Sequence, residues 1–158
     1  MNLYEEFVYI VSHVNKELDI TPVLYGSLGL EKATGIDFQP QDIDMLVPLV
    51  FLEGKWDLLK GAMESLDYKL VDIHEHEFMK NEIKVGIAFI EDLKPFANID
   101  YNHLKTIEDN GAIYHMLSIS DYLKVYQKSS LDGYRRTKNN HKDQEKVQIL
   151  QQLISQNN

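Results

Sequence analysis

Two aspartates stand two residues apart in the run Asp42-Ile43-Asp44-Met45-Leu46-Val47, and their types and spacing suit metal chemistry. The apolar residues around them predict a strand, in which Asp42 and Asp44 share one face while Ile43 and Met45 point into the core. Two anionic oxygens are then aimed at one spot. Hard cations such as Mg2+ or Mn2+ are held by one or two protein carboxylates and substrate phosphates, and paired metals about 3.5–4 Å apart clamp an in-line phosphoryl displacement. Strands are poor in Asp, so this pair asks for a use beyond lining the wet face of an edge strand.

Upstream, Leu24-Tyr25-Gly26-Ser27 supplies a second element of the same chemistry. With a strand over 23–25 and a helix from Leu28 onward, Gly26 permits close backbone approach. Ser27 then sits at a helix N-terminus, where free N–H groups favour phosphate. An ordinary helix cap is the alternative role for that serine. The ordered set, Gly-Ser, a spacer, then Asp-x-Asp among apolar residues, resembles the signature of the nucleotidyltransferase superfamily. That superfamily includes DNA polymerase β, poly(A) polymerases, small bacterial nucleotidyltransferases and the aminoglycoside and lincosamide resistance enzymes. The spacer, residues 28–41, is slightly longer than the superfamily's usual range.

The resemblance implies binding of an NTP, ATP foremost, with Mg2+ or Mn2+, and transfer of a nucleoside monophosphate to an acceptor hydroxyl on a small molecule or an RNA end. It implies that Asp42 and Asp44 are the catalytic metal ligands and that Gly26 and Ser27 hold the triphosphate. The segment His141-Lys142-Asp143-Gln144-Glu145-Lys146, leading into Val147 and Ile149, resembles the Lys-Asp segment that ends many small nucleotidyltransferases. By that likeness Lys142 approaches the nucleotide phosphates, with Lys128 as a second lysine ahead of Lys124, and Arg135 as a further positive charge. A lysine head delivers a point charge suited to phosphate. A terminal amphipathic helix with a charged outer face is the plain alternative.

Superfamily members usually carry a third carboxylate, as general base or metal ligand, on a later strand. The matching strand, Glu82–Ile90, has Gly86 or Ala88 at that position. Glu82, Glu91, Asp92 and Asp72 are the substitutes within reach, and loss of a general base costs about 10²–10⁴-fold. A second reading follows: a catalytically degenerate fold that binds nucleotide or a protein partner. A third makes the basic cluster from Arg135 to Lys146 a nucleic-acid contact. His74-Glu75-His76-Glu77 places both imidazoles on one face of a predicted strand with no third ligand, so a solvent-facing hairpin is expected there.

The elements that must position these groups are readable from periodicity. Residues 3–18 carry Leu3, Phe7, Ile10, Val11 and Val14 at helical spacing. After the strand over 23–25 and a short helix to about Ala33, residues 36–41 form a loop before the strand over 42–47, closed by Pro48. A helix over about 54–66 follows, then strands over 68–78 and 82–90 turning at Lys80-Asn81. Residues 91–103 give no clear pattern. Asn110-Gly111 predicts a hairpin between 104–107 and 112–117. Ser118 or Ser120 caps a helix with Tyr122 and Val125, and Asn140 caps a last one with Val147 and Leu150. The expectation is a single α+β domain over 1–158: a nucleotidyltransferase-like mixed β-sheet flanked by helices, core about 1–117, with a C-terminal helical pair over about 118–156.

Bulk properties agree with that expectation. With 158 residues, 44% of them hydrophobic, and a mean hydropathy of −0.33, the chain can bury a core, and it has no apolar run long enough for a membrane span. A net charge of −9 argues against nonspecific nucleic-acid binding. The absence of cysteine excludes disulfides, and the N-terminus lacks a signal-peptide pattern, so a cytoplasmic, bacterial protein is expected.

Overall fold

The computed structural model describes residues 2–131 and 142–156. Helix α1 (Leu3–Leu18) starts on Asn2, whose side-chain oxygen accepts the Glu5 N–H at 2.7 Å, and buries Phe7, Ile10, Val11 and Val14 on one stripe. Strand β1 (Val23–Tyr25) runs directly into α2 (Gly26–Thr34), which ends on Gly35 at φ 75°. Strand β2 (Ile43–Val47) returns antiparallel beside β1, with Tyr25 opposite Asp44.

Beyond a short 3-10 turn at Leu49–Leu52, α3 (Trp56–Ser65) leads to β3 (Lys69–Asp72), β4 (Glu77–Lys80) and β5 (Ile83–Phe89). The stretch expected as one strand over 68–78 is therefore a hairpin. Asp72 breaks it: its Oδ1 accepts the N–H groups of His74 and Glu75, at 2.9 and 3.1 Å, and His76 takes φ 51°. His74 and His76 lie in that turn, so they do not share a strand face. The second turn falls at Asn81, with Lys80 paired to Ile83, as expected.

The stretch without clear pattern holds helix α4 (Leu93–Ala97) between two 3-10 turns. Strands β6 (Lys105–Asp109) and β7 (Ala112–Met116) form the expected hairpin, with positive φ at both Asn110 and Gly111. Helices α5 (Ile119–Leu131) and α6 (Lys142–Gln156) close the described chain and pack on each other. The cap expected at Asn140 lies outside the described residues.

The seven strands make one mixed sheet in the order β3-β4-β5-β2-β1-β7-β6. The β2–β5 and β1–β7 pairs are parallel and the others antiparallel. One apolar core joins α1, the central strands, α3 and α5. Helix α5 is pinned to the centre by Tyr122, fully buried, whose hydroxyl donates to the Leu24 carbonyl at 2.8 Å. No helix of the described residues is long and apolar enough to cross a membrane.

Candidate active site

Pairing of β1 with β2 brings the end of one strand against the start of the other, and so places the Gly-Ser turn beside the carboxylates. Gly26 has φ +68°, a left-handed conformation that a side chain resists. Space matters there as well: a Cβ at Gly26 would collide with Asp44 Oδ2. The Asp44 carboxylate rests against the bare backbone of the turn, and Ser27 follows within the first turn of α2, whose N–H groups have no helical acceptor. Asp42 lies one residue before β2 and is 43% exposed.

Across β2 and β5, Asp44 pairs with Gly86, and Gly86 pairs in turn with Glu77 on β4. Paired residues share a sheet face, so Asp44, the empty position at Gly86 and Glu77 form one row. A Cβ at Gly86 would sit 3.0 Å from Asp44 Oδ1, so the glycine makes room for that carboxylate. Two residues earlier on the same face, Lys84 extends its ammonium 3.8 Å from Asp42 Oδ2 and 3.4 Å from Glu77 Oε2. Burial alone would lower the Lys84 pKa; Asp42, Glu77 and Asp44 outweigh it and hold the group above the ordinary lysine value.

Among the described residues, the cation at the Gly-Ser turn is Lys146. Its Nζ donates to Ser27 Oγ at 3.1 Å and lies 4.9 Å from the centroid of the Tyr126 ring. Lys142, expected from the sequence in this role, is the first residue of α6, one helical turn before Lys146. Lys128 is exposed on α5 and lines neither of the cavities described below, and Arg135 lies outside the described residues.

Two cavities flank Asp44. The first, about 500 Å³, is lined by Ser27, Phe38, Asp42, Asp44, Asp143 and Lys146. The second, about 510 Å³, is lined by Gly26, Asp44, Glu77, Gly86, Asp92 and Tyr126, among others. Of the substitutes for a third carboxylate, Asp92 alone faces either cavity; it is exposed, and desolvation raises its carboxyl. Glu91 accepts the Leu49 N–H at 3.0 Å, Asp72 holds the β3–β4 turn, and Glu82 is exposed. Glu77 is one carboxylate that sequence reasoning overlooked, and it enters through strand register; Asp143, buried on α6 and lining the first cavity, is another.

Asp42 and Asp44 suit a divalent ion by donor chemistry, and the side-chain-free cradle at Gly26 leaves the Asp44 oxygens room. No group of three His, Cys, Asp or Glu side chains among the described residues could enclose a metal. Waters, joined by substrate phosphate when it is bound, would complete the shell, the usual habit of Mg2+.

No protein-family model matches the chain. It is 64% identical over 154 residues, spanning 98% of this chain and 99% of its relative, to the uncharacterized protein YnaI of Bacillus subtilis (strain 168). Among solved structures it resembles the antibiotic-resistance factor ANT(2'')-Ia, with TM-score 0.54 and 11% identity, covering 99% of this chain and 94% of that one. It also resembles an antigenic nucleotidyltransferase-like protein from Paracoccidioides brasiliensis, with TM-score 0.57 and 15% identity, covering 94% of this chain and 77% of that one.

Proposed function

We propose, from the premise that this chain belongs to the family of Bacillus subtilis YnaI and carries a nucleotidyltransferase-like fold, that it transfers a nucleoside monophosphate from an NTP to an acceptor hydroxyl. The observation that carries this reading is Asp44, a carboxylate on the wall shared by two cavities. A two-substrate displacement needs such an arrangement, with donor on one side, acceptor on the other and the charged group between them.

In this reading the NTP occupies the cavity of Ser27 and Lys146. The N–H groups that open α2 and the Lys146 ammonium bind the phosphates, and the ammonium leaves Ser27 for a phosphate oxygen. Asp42 and Asp44 hold Mg2+ or Mn2+, which when bound stabilises charge on the transferred phosphoryl group. The acceptor lies in the second cavity. Its hydroxyl oxygen bonds to the α-phosphorus, the bond from that phosphorus to the β-bridging oxygen breaks, and pyrophosphate leaves. Besides Asp44, the carboxylates lining the acceptor side are Glu75, Glu77 and Asp92, and of these Glu77 and Asp92 are our candidates to take the hydroxyl proton. ATP is the first donor to try.

A second reading keeps nucleotide binding without turnover, and Gly86 favours it, because it leaves the position beside Asp44 without a carboxylate. ATP labelled at the α-phosphorus, incubated with Mg2+, the intact chain and a small-molecule extract of bacterial cells, separates the two. Label appearing in a new product with wild type and absent with Asp44→Asn supports transfer. Bound ATP with no labelled product and no pyrophosphate supports the binding module.

A further inference from the structure

The row of residues that builds the carboxylate face also contains a cation. Register fixes this: Ile43 pairs with Val85 and Asp44 with Gly86, so the position beside Asp42 belongs to Lys84. Its ammonium lies 3.8 Å from Asp42 and 3.4 Å from Glu77. On the next inward position of the same strand Gly86 carries no side chain at all, and a Cβ there already crowds Asp44 Oδ1. Strand β5 therefore presents to the site one positive charge and one gap, where an added carboxylate would have raised the demand for cations.

We propose that Lys84 stands in for one of the two cations a paired-metal carboxylate site collects, so that this site takes a single divalent ion. The inference rests on the nucleotidyltransferase reading and deepens it. Along this row of the sheet Asp42, Asp44 and Glu77 bring three negative charges and Lys84 one positive charge, which leaves two, the charge one divalent ion neutralises; the other charges lining the cavities, Asp37, Asp143, Glu145 and Lys146 in the first and Glu75 and Asp92 in the second, lie off this row. Lys84 is covalently fixed, so its charge is present before nucleotide arrives and persists after pyrophosphate leaves. It also raises the cost of bringing a divalent ion close, because like charges at this range repel even through water.

Titration of the intact chain with Mn2+ alone, followed by electron paramagnetic resonance of free Mn2+, tests this in wild type, Lys84→Met, Lys84→Arg and Asp44→Asn. Methionine keeps the apolar stem and deletes the charge; arginine keeps the charge. Lys84→Met is expected to bind Mn2+ about tenfold or more tighter than wild type, or to take a second ion, while Lys84→Arg stays near wild type. Circular dichroism confirms that each variant is folded, and Asp44→Asn is expected to lose the binding. Equal affinity and stoichiometry in wild type and Lys84→Met, with the binding lost in Asp44→Asn, overturns the role of Lys84 and leaves the nucleotidyltransferase reading standing. Mn2+ binding indifferent to Asp44, or none in wild type and Lys84→Met alike, overturns both.

Discussion

At the scale of residues, the site depends on two glycines whose missing side chains matter to one carboxylate. Gly26→Ala would combine a strained φ of +68° with a collision against Asp44. It is expected to cost about 1–3 kcal/mol in stability, read by urea unfolding, and to abolish Mg2+-dependent ATP binding. Gly86→Asp would supply a third carboxylate in name only. The crowding at Asp44 Oδ1 predicts weaker, not stronger, metal binding, which a Mn2+ titration would decide. Lys146→Met is expected to weaken ATP binding by about tenfold or more while leaving the melting temperature nearly unchanged, since it removes a charge-assisted phosphate contact. Asp42, Asp44, Gly26 and Ser27 were legible in the sequence because each pair is contiguous or two apart, and their assembly needs only one strand pairing. Lys146 was not, because its contact with Ser27 spans 119 residues. The Lys-Asp segment did point to this helix, but to Lys142, four residues and one helical turn before Lys146.

At the scale of elements, the sheet is tied to α1 by a buried charge. Glu6, 4% exposed, accepts from the Tyr68 hydroxyl at 2.7 Å and pairs with Lys80 at 2.6 Å, linking α1 to the end of β4. Lys80→Met would leave that carboxylate buried without its cation. A loss of about 3–5 kcal/mol is expected by chemical denaturation, and Glu6→Gln with Lys80→Met together should recover part of it. Helix α4 makes the opposite contribution. Asp92, just before α4, is exposed, yet desolvation raises its carboxyl, so its charged form is disfavoured in the folded chain. Its raised folded pKa means that stability falls as pH rises from the ordinary carboxylate range through that value. Solvent screens this exposed group, so Asp92→Asn should be only marginally more stable at neutral pH, with the advantage lost in acid; a slower transfer reaction alongside would mark a site residue. The two hairpin turns at Asn81 and Asn110-Gly111 were readable from local turn chemistry. The third, at 73–76, was not: an alternating run from Tyr68 to Phe78 looks like one strand until the Asp72 side chain captures two backbone N–H groups.

At the scale of the whole molecule, the architecture is a seven-stranded mixed sheet on which two cavities meet at one carboxylate. Composition and periodicity were enough for the α+β class and for the helical pair at the end of the described chain. Strand order was not legible, because nothing local says that β5 lies beside β2 rather than beside β1. That order is what brings Lys84, Gly86 and Glu77 to the site, so the part of the site contributed by β4 and β5 stayed hidden while the part from β1 and β2 was plain. The measurement that bears most directly on the account is calorimetry of ATP and GTP binding with and without Mg2+, on wild type and on Asp42→Asn and Asp44→Asn. The account predicts binding that requires the metal and falls by about tenfold or more in each variant. Nucleotide binding indifferent to both metal and carboxylates, or no binding by wild type, would contradict it.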